Sequence, residues 1–320
     1  MIMSNCGEAF FAKILLFGEY SLLYGSGALS MPFREKYVQL LFPTSQLSET
    51  EARTAHNSNL LLNSYSEFLF AHENKTGSKL DLESMQDDIK RGLYLKSNIT
   101  SGYGLGSSGA LVAALYDQYA YKDQQDVKPT DPGELEDLQV FFAFMESFFH
   151  GSSSGIDPLS SYINQALLID KHKKPTTVKV NLPGPKSKSG FFLIDTAKSR
   201  KTAPLVQLFK EKYKKHTFRE MLHSEYIPLC NECIEALLTG SNAFHGMLHR
   251  LSDLQLKHFK EMIPADFYDI WVKGLSSGLY TIKLCGAGGG GYLLGYTEDF
   301  DKTQQAFQYL CKLKRFIKLV

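Results

Sequence analysis

Three glycine-rich stretches, far apart along the chain, restrict its fold more than any other feature: 102-GYGLGSSGAL-111, 150-HGSSSGIDP-158 and 283-KLCGAGGGGYLL-294. Each can bend the backbone into a turn that exposes N–H groups. A helix starting at such a turn adds the positive end of its dipole, so polyanions bind well there. The first stretch leads straight into an apolar helical run. The second is entered from a helix that places Glu146 one turn before His150. The third lies between two runs of strand length. A lysine, a glutamate and an aspartate are distributed among the three.

The bulk of the chain is ordinary for a soluble globular protein. Its 320 residues, 43% apolar and 22% charged, can bury a sizeable core and suggest two domains. A formal charge of +1 points away from nucleic acid and from an anionic membrane as partners. The local basic runs, 171-KHKK-174 and Lys186 to Lys201, read as solvated faces. Cysteines at 6, 230, 233, 285 and 311 are odd in number and irregularly spaced, which argues against a disulfide framework. Cys230 and Cys233 form a C-x-x-C inside a helical stretch with no second ligand pair, so they read as helix positions. No signal-peptide pattern and no apolar run of membrane-spanning length occurs, and the expected location is cytoplasmic.

Helical and strand periodicities interleave, giving a mixed α/β or α+β class. Strands are expected at 10–17, 36–42, 93–99, 166–170, 176–180, 191–196, 279–284 and 292–296. Helices are expected at 57–72, 107–121, within 203–275 and over about 300–315. Leu135, Leu138, Phe141, Phe142, Met145, Phe148 and Phe149 trace a helical stripe up to the second glycine loop. Residues 122–133 read as a polar loop, and 182-LPGPKSKSG-190 as a linker.

Several chemistries could use such glycines. Gly104-x-Gly106-x-x-Gly109 matches the dinucleotide fingerprint, but the residues after its helix do not read as the strand that a Rossmann unit needs. Gly151-x-Ser153-x-Gly155 fits a hydrolase nucleophile elbow, yet it is entered from a helix instead of a strand, and nothing positions His245 or His249 as its base. No Walker-type phosphate-loop string is present. Plain tight turns would not account for the polar residues that accompany all three loops. Glu146 shares the face of Phe142 and Phe149, and a carboxylate there requires a metal ion or a buried Lys or Arg to offset its charge.

In four blocks the chain resembles the GHMP kinases, most of all the branch that phosphorylates mevalonate. The blocks are 12-AKILLFGEYSLLYGSGALSMP-32, 104-GLGSSGA-110, Glu146 with 150-HGSSSGID-157, and 283-KLCGAGGGG-291; 193-LIDTAKSRKTAPLV-206 is a further match. The resemblance implies an α+β, two-domain fold. A ribosomal S5 domain 2-like N-terminal domain would span 1–184 and a ferredoxin-like C-terminal domain 185–320, with ATP and substrate meeting between them.

The same resemblance implies roles. Asp157 would accept the proton of the attacking hydroxyl, and Lys13 would sit beside it. Gly104, Leu105, Gly106, Ser107, Ser108 and Gly109 would wrap the phosphates of ATP, and Gly286, Gly288 and Gly289 would approach the same ligand. Ser108 and Glu146 would hold Mg²⁺. Glu19, Tyr20, Arg200 and Thr202 would stand on the substrate side, with Arg200 facing a carboxylate. The implied acceptor is the 5-hydroxyl of (R)-mevalonate or of a similar hydroxy acid. Phosphomevalonate, a sugar, or a binding role without catalysis are the alternatives, and a homodimer is left open.

Three departures from the family pattern bear on these roles. Gly109 stands where alanine is usual, Thr100-Ser101 where proline is common, and Tyr20 where many relatives carry histidine. Residues 45–80 follow no family pattern.

Overall fold

The structure, a computed structural model, describes residues 7–44, 46–121, 128–184, 186–310 and 316–318. It divides into two compact units that interleave along the chain. The first holds the residues up to Lys13, Met31–Thr100 and Leu105–Gln165; the second holds Ile14–Ser30, Ser101–Gly104 and the chain from Ala166 onward. Strands β1 (Phe10–Phe17) and β2 (Ala28–Leu41) each begin in one unit and end in the other. β2 is longer than its expected 36–42. Its early half has no regular alternation of buried and exposed positions and contains Pro32, so the period-two signal is absent there.

In the first unit, β2 pairs antiparallel with β3 (Tyr94–Ser97), from Val38 opposite Ser97 to Leu41 opposite Tyr94. Three helices precede β3 and the glycine loop: α1 (Glu49–Phe70), the single turn α2 (Glu73–Thr76) and α3 (Leu82–Lys90). α1 starts eight residues before the expected helix. Its start is set by a capping box in which Ser48 and Glu51 each bond the other's backbone N–H, a signal visible in the sequence as Ser48-x-x-Glu51. Helices α4 (Ser107–Tyr119), α5 (Pro132–His150) and α6 (Ile156–Ile163) form the interior. Asp131 caps α5, and Pro132 opens it with a φ already suited to a helix. Tyr116, Phe142 and Tyr162, one from each helix, meet edge to face at 5.0–5.7 Å. Of the polar loop expected at 122–133, residues 122–127 lie outside the described residues.

In the second unit, the start of β2 pairs with β4 (Ala166–Ile169), and β4 pairs with β5 (Pro175–Val178). The stretch 182–190 joins β5 to β6 (Gly190–Asp195) inside this same unit, residue 185 lying outside the described residues. Helices α7 (Thr202–Lys214), α8 (His216–Met221), α9 (Ile227–Thr239), α10 (Phe244–His258) and α11 (Tyr268–Ser277) follow, with a π turn at Leu222–Tyr226. β7 (Tyr280–Leu284), β8 (Tyr292–Thr297), α12 (Phe300–Leu310) and β9 (Phe316–Lys318) complete it. The end of the last expected helix, 311–315, lies outside the described residues.

The four-stranded sheet has the order β7-β8-β6-β9, antiparallel throughout. Helices between β6 and β7, a direct β7–β8 turn, and a helix before β9 make this the ferredoxin-like arrangement. Phe191, Phe192, Trp271 and Tyr280 are buried in this unit. Cys230 and Cys233 are buried positions of α9, neither they nor Cys285 form a disulfide, and Cys6 and Cys311 lie outside the described residues. Among the described residues no helix is long and apolar enough to cross a membrane.

Candidate active site

The first unit gathers Lys13, Asp157, Ser108 and Glu146. Lys13 lies in β1, and its backbone N–H donates to the Leu105 carbonyl at 3.0 Å, so the strand is bonded directly to the first glycine loop. α4 begins behind that loop with Gly106 as N-cap (φ 73°) and no side-chain cap. The leading amides at Ser107, Ser108 and Gly109 therefore lack intrahelical acceptors, as the first turn of any helix does, and are offered to an anion.

Asp157 is the second residue of α6, where the helix dipole favours a negative charge. Its Oδ1 lies 2.9 Å from Lys13 Nζ, with the lysine side chain 10% and the aspartate 34% exposed. The carboxylate is thus reachable while its cation is sheltered. Gly109 brings the two helices together: a Cβ there would lie 2.7 Å from both the Asp157 carbonyl carbon and the Pro158 nitrogen. This accounts for glycine at a position where the GHMP kinases usually have alanine.

Glu146, on the buried stripe of α5, is 4% exposed. Its Oε1 accepts from the Ser108 hydroxyl at 2.8 Å, and its Oε2 accepts from the Ser153 hydroxyl. His150 Nε2 is 3.1 Å from Ser108 Oγ. Burial pushes the Glu146 carboxyl above its ordinary value and the Asp157 charge adds to this, while the two serine hydroxyls and His150 act the other way. Among the described residues no lysine or arginine pairs with it, so the buried ion pair that sequence reasoning left open is not what satisfies this group. Ser153 and His150 stood in a recognised motif, but nothing in the sequence distinguished them as partners of Glu146 and Ser108.

These oxygens suit a hard divalent cation: one anionic carboxylate and one hydroxyl, side by side. Among the described residues no three His, Cys, Asp or Glu side chains cluster as a metal cage. A cation held here would complete its shell with water and ligand oxygens.

The second unit gathers the remaining candidates around the third glycine stretch. Arg200 Nη1 donates to the carbonyls of Cys285 (3.3 Å), Gly288 (2.9 Å) and Gly290 (3.4 Å). Its guanidinium fills space that side chains at Gly104 and Gly286 would occupy, since Cβ atoms there would fall 1.9 Å and 2.7 Å from Nη2. The Tyr20 hydroxyl donates to the Ala287 carbonyl. Thr202 is exposed and opens α7 without capping it, Lys201 being the N-cap residue.

Glu19 is placed differently from a surface contact. It is 2% exposed, and its Oε1 is ion-paired with Lys283, itself 1% exposed. Lys283 also donates to the Leu284 carbonyl at 2.7 Å and lies over the Phe17 ring. In this structure the carboxylate faces into the unit, toward the lysine of the third glycine stretch, which the sequence did not pair with it.

No family model matches the chain. It is 27% identical over 304 residues to the mevalonate kinase of Thermococcus sibiricus, covering 88% of this chain and 85% of that protein. Among solved structures it resembles L. major mevalonate kinase in complex with R-mevalonate (TM-score 0.64, 16% identity, 99% and 95% of the two chains). It also resembles Streptococcus pneumoniae phosphomevalonate kinase in complex with phosphomevalonate and AMPPNP (TM-score 0.62, 17% identity, 100% of each chain). Over 88% of its length this chain is similar in sequence to mevalonate kinases, and over nearly all of it the chain has the GHMP kinase fold.

Proposed function

We propose that this protein is an ATP- and Mg²⁺-dependent kinase that phosphorylates the 5-hydroxyl of (R)-mevalonate. The observation that carries the reading is the Lys13–Asp157 pair, 2.9 Å apart, packed against the open N-terminus of α4. Phosphoryl transfer needs a base for the attacking hydroxyl, a cation beside it and a cradle for the phosphates, with little other covalent work for the protein. Here Asp157 accepts the hydroxyl proton as that oxygen bonds the γ-phosphorus and the β–γ bridging bond breaks to release ADP. Lys13, beside it, offsets charge on the moving group. The amides of Ser107, Ser108 and Gly109 receive phosphate oxygens, with Gly104 to Gly106 shaping the turn that precedes them. Ser108 and Glu146 would hold Mg²⁺. When bound, that ion would neutralise phosphate charge.

Tyr20, Arg200 and Thr202 are proposed as the acceptor side, with Glu19 supporting them from within. Mevalonate is favoured as acceptor by the likeness to mevalonate kinases along most of the chain. The division at 184/185 into an N-terminal ATP-binding domain and a C-terminal domain, a cytoplasmic location and action without nucleic acid belong to the same proposal, with a homodimer as the assembly to test by sedimentation.

The test is ADP release from Mg²⁺–ATP against mevalonate, phosphomevalonate, galactose and homoserine. Turnover on mevalonate, reduced by several orders of magnitude in Asp157→Ala with nucleotide binding kept, is the expected result. Turnover on another acceptor alone would overturn the substrate and keep the chemistry. Nucleotide binding without turnover on any of them would favour a binding role.

A further inference from the structure

Tyr20 occupies the position where many mevalonate kinases carry histidine, and its backbone is strained. At φ 59° and ψ −41° it is the centre of a γ-turn, closed by the Ser21 N–H donating to the Glu19 carbonyl at 2.6 Å. This geometry is rare for a bulky side chain and persists only where surroundings over-determine it. Here the ring stacks on Phe209 (centroids 4.4 Å apart, 1° between planes) and meets Phe259 edge-on at 6.2 Å. The hydroxyl crosses 267 residues of sequence to donate to the Ala287 carbonyl. Burial pushes the phenol well above its ordinary value, with Arg200 opposing and Glu19 adding to the shift, so it remains a donor through the physiological range.

Together with the three carbonyls held by Arg200, this bond turns the carbonyls of residues 285, 287, 288 and 290 onto two side chains. Two loop amides are also spent, Gly289 on the Met262 carbonyl and Gly291 on that of Lys198. Those of Gly286, Ala287, Gly288 and Gly290 form no hydrogen bond with any described residue. A backbone with its carbonyls tied back and several amides unspent is ready to bind anionic oxygens.

We propose that Tyr20, acting with Arg200, is a positioning residue that holds the Ala287 carbonyl back, so that the loop at 286–290 presents amides to a phosphate group. The inference rests on the kinase reading above. Without the hydroxyl, the 287–288 peptide is free to rotate and to point a carbonyl at the anion.

The test compares the full-length wild type, Tyr20→Phe and Phe209→Leu. Hydrogen exchange of the peptide spanning 285–291 is measured without ligand, and KM for ATP and for the acceptor is measured separately from kcat. Tyr20→Phe keeps the ring and the stack, so its Tm is expected to stay near wild type. Its loop amides should exchange about 10-fold faster, and one KM should rise about 10-fold, consistent with losing one buried hydrogen bond. Phe209→Leu keeps the hydroxyl and should lower Tm more than it alters either KM. Unchanged exchange and unchanged KM values in Tyr20→Phe would overturn the proposal. So would a uniform loss of kcat and Tm shared by both variants, which marks a merely structural role. If the wild type turns over no acceptor, the kinase reading fails, and the exchange comparison alone decides whether Tyr20 holds the loop.

Discussion

Replacing Gly109 by alanine restores the residue that GHMP kinases usually carry, yet here it should damage the protein. The new Cβ would lie 2.7 Å from the Asp157 carbonyl carbon, 2.7 Å from the Pro158 nitrogen and 2.9 Å from the Asp157 Cβ. Two of these atoms are backbone, so no rotamer change relieves the overlap. Reaching ordinary contact at 3.4 Å requires α4 and α6 to part by about 0.7 Å at this point. Overpacking of this kind costs about 1–3 kcal/mol. The shift also carries Asp157 away from Lys13, whose 2.9 Å contact has no slack. A misplacement near 1 Å in a reacting group lowers the rate by up to about 10²-fold. Gly109→Ala should therefore lower kcat by roughly 10- to 100-fold in the ADP-release assay, with a smaller loss of nucleotide affinity, and lower Tm in a thermal melt. Wild-type kcat together with wild-type Tm would refute the reasoning, because it would mean that α4 and α6 are not in contact at Gly109.

Further outcomes follow from the buried charges. The Glu146 carboxyl is raised chiefly by burial and then by Asp157, so the folded state favours its protonated form. That contribution is fully present below the ordinary glutamate range and is lost as pH rises through the raised value. Glu146→Gln should consequently raise the Tm of the ligand-free protein by on the order of a few °C at pH 8, the gap closing as pH falls, while turnover is lost. A lower Tm at pH 8 would contradict this. Removing divalent cations with a chelator should abolish turnover, restored by Mg²⁺, and leave the ligand-free Tm unchanged, because Ser108 and Ser153 already bond Glu146. Lys283→Met alone should cost about 3–5 kcal/mol in urea unfolding by leaving Glu19 charged and buried, and Glu19→Leu added to it should recover most of the loss. Equal effects of the single and double replacements would show that the pair is not coupled.

Much of the architecture was legible along the chain because it is set by local rules. The strand at 10–17, the apolar stripe of α5 ending at the second glycine loop, and the helix bearing Cys230 and Cys233 all follow from periodicity and caps. Where local signals conflict, the sequence reading fell short: the early half of β2 lacks alternation, and the start of α1 is marked by a cap, not by hydrophobic spacing.

The candidate site divides in the same way. Lys13, Ser108, Glu146 and Asp157 stand in motifs whose residue types already suit phosphoryl transfer, and all four come together in one unit. Their partners were not readable. Nothing along the chain pairs Glu19 with Lys283, 264 residues away, which folding brings against it. Nor does anything along the chain set the Arg200 guanidinium among three loop carbonyls. Gly109 looks like a lapse from the family pattern until α6 is packed against it. Sequence by itself determined which chemical groups are available and which backbone turns can form, because both depend on a few adjacent residues. Only the tertiary structure decided which charges are offset, which carbonyls are turned away and how close two helices can pass, because these depend on contacts between residues far apart in the chain.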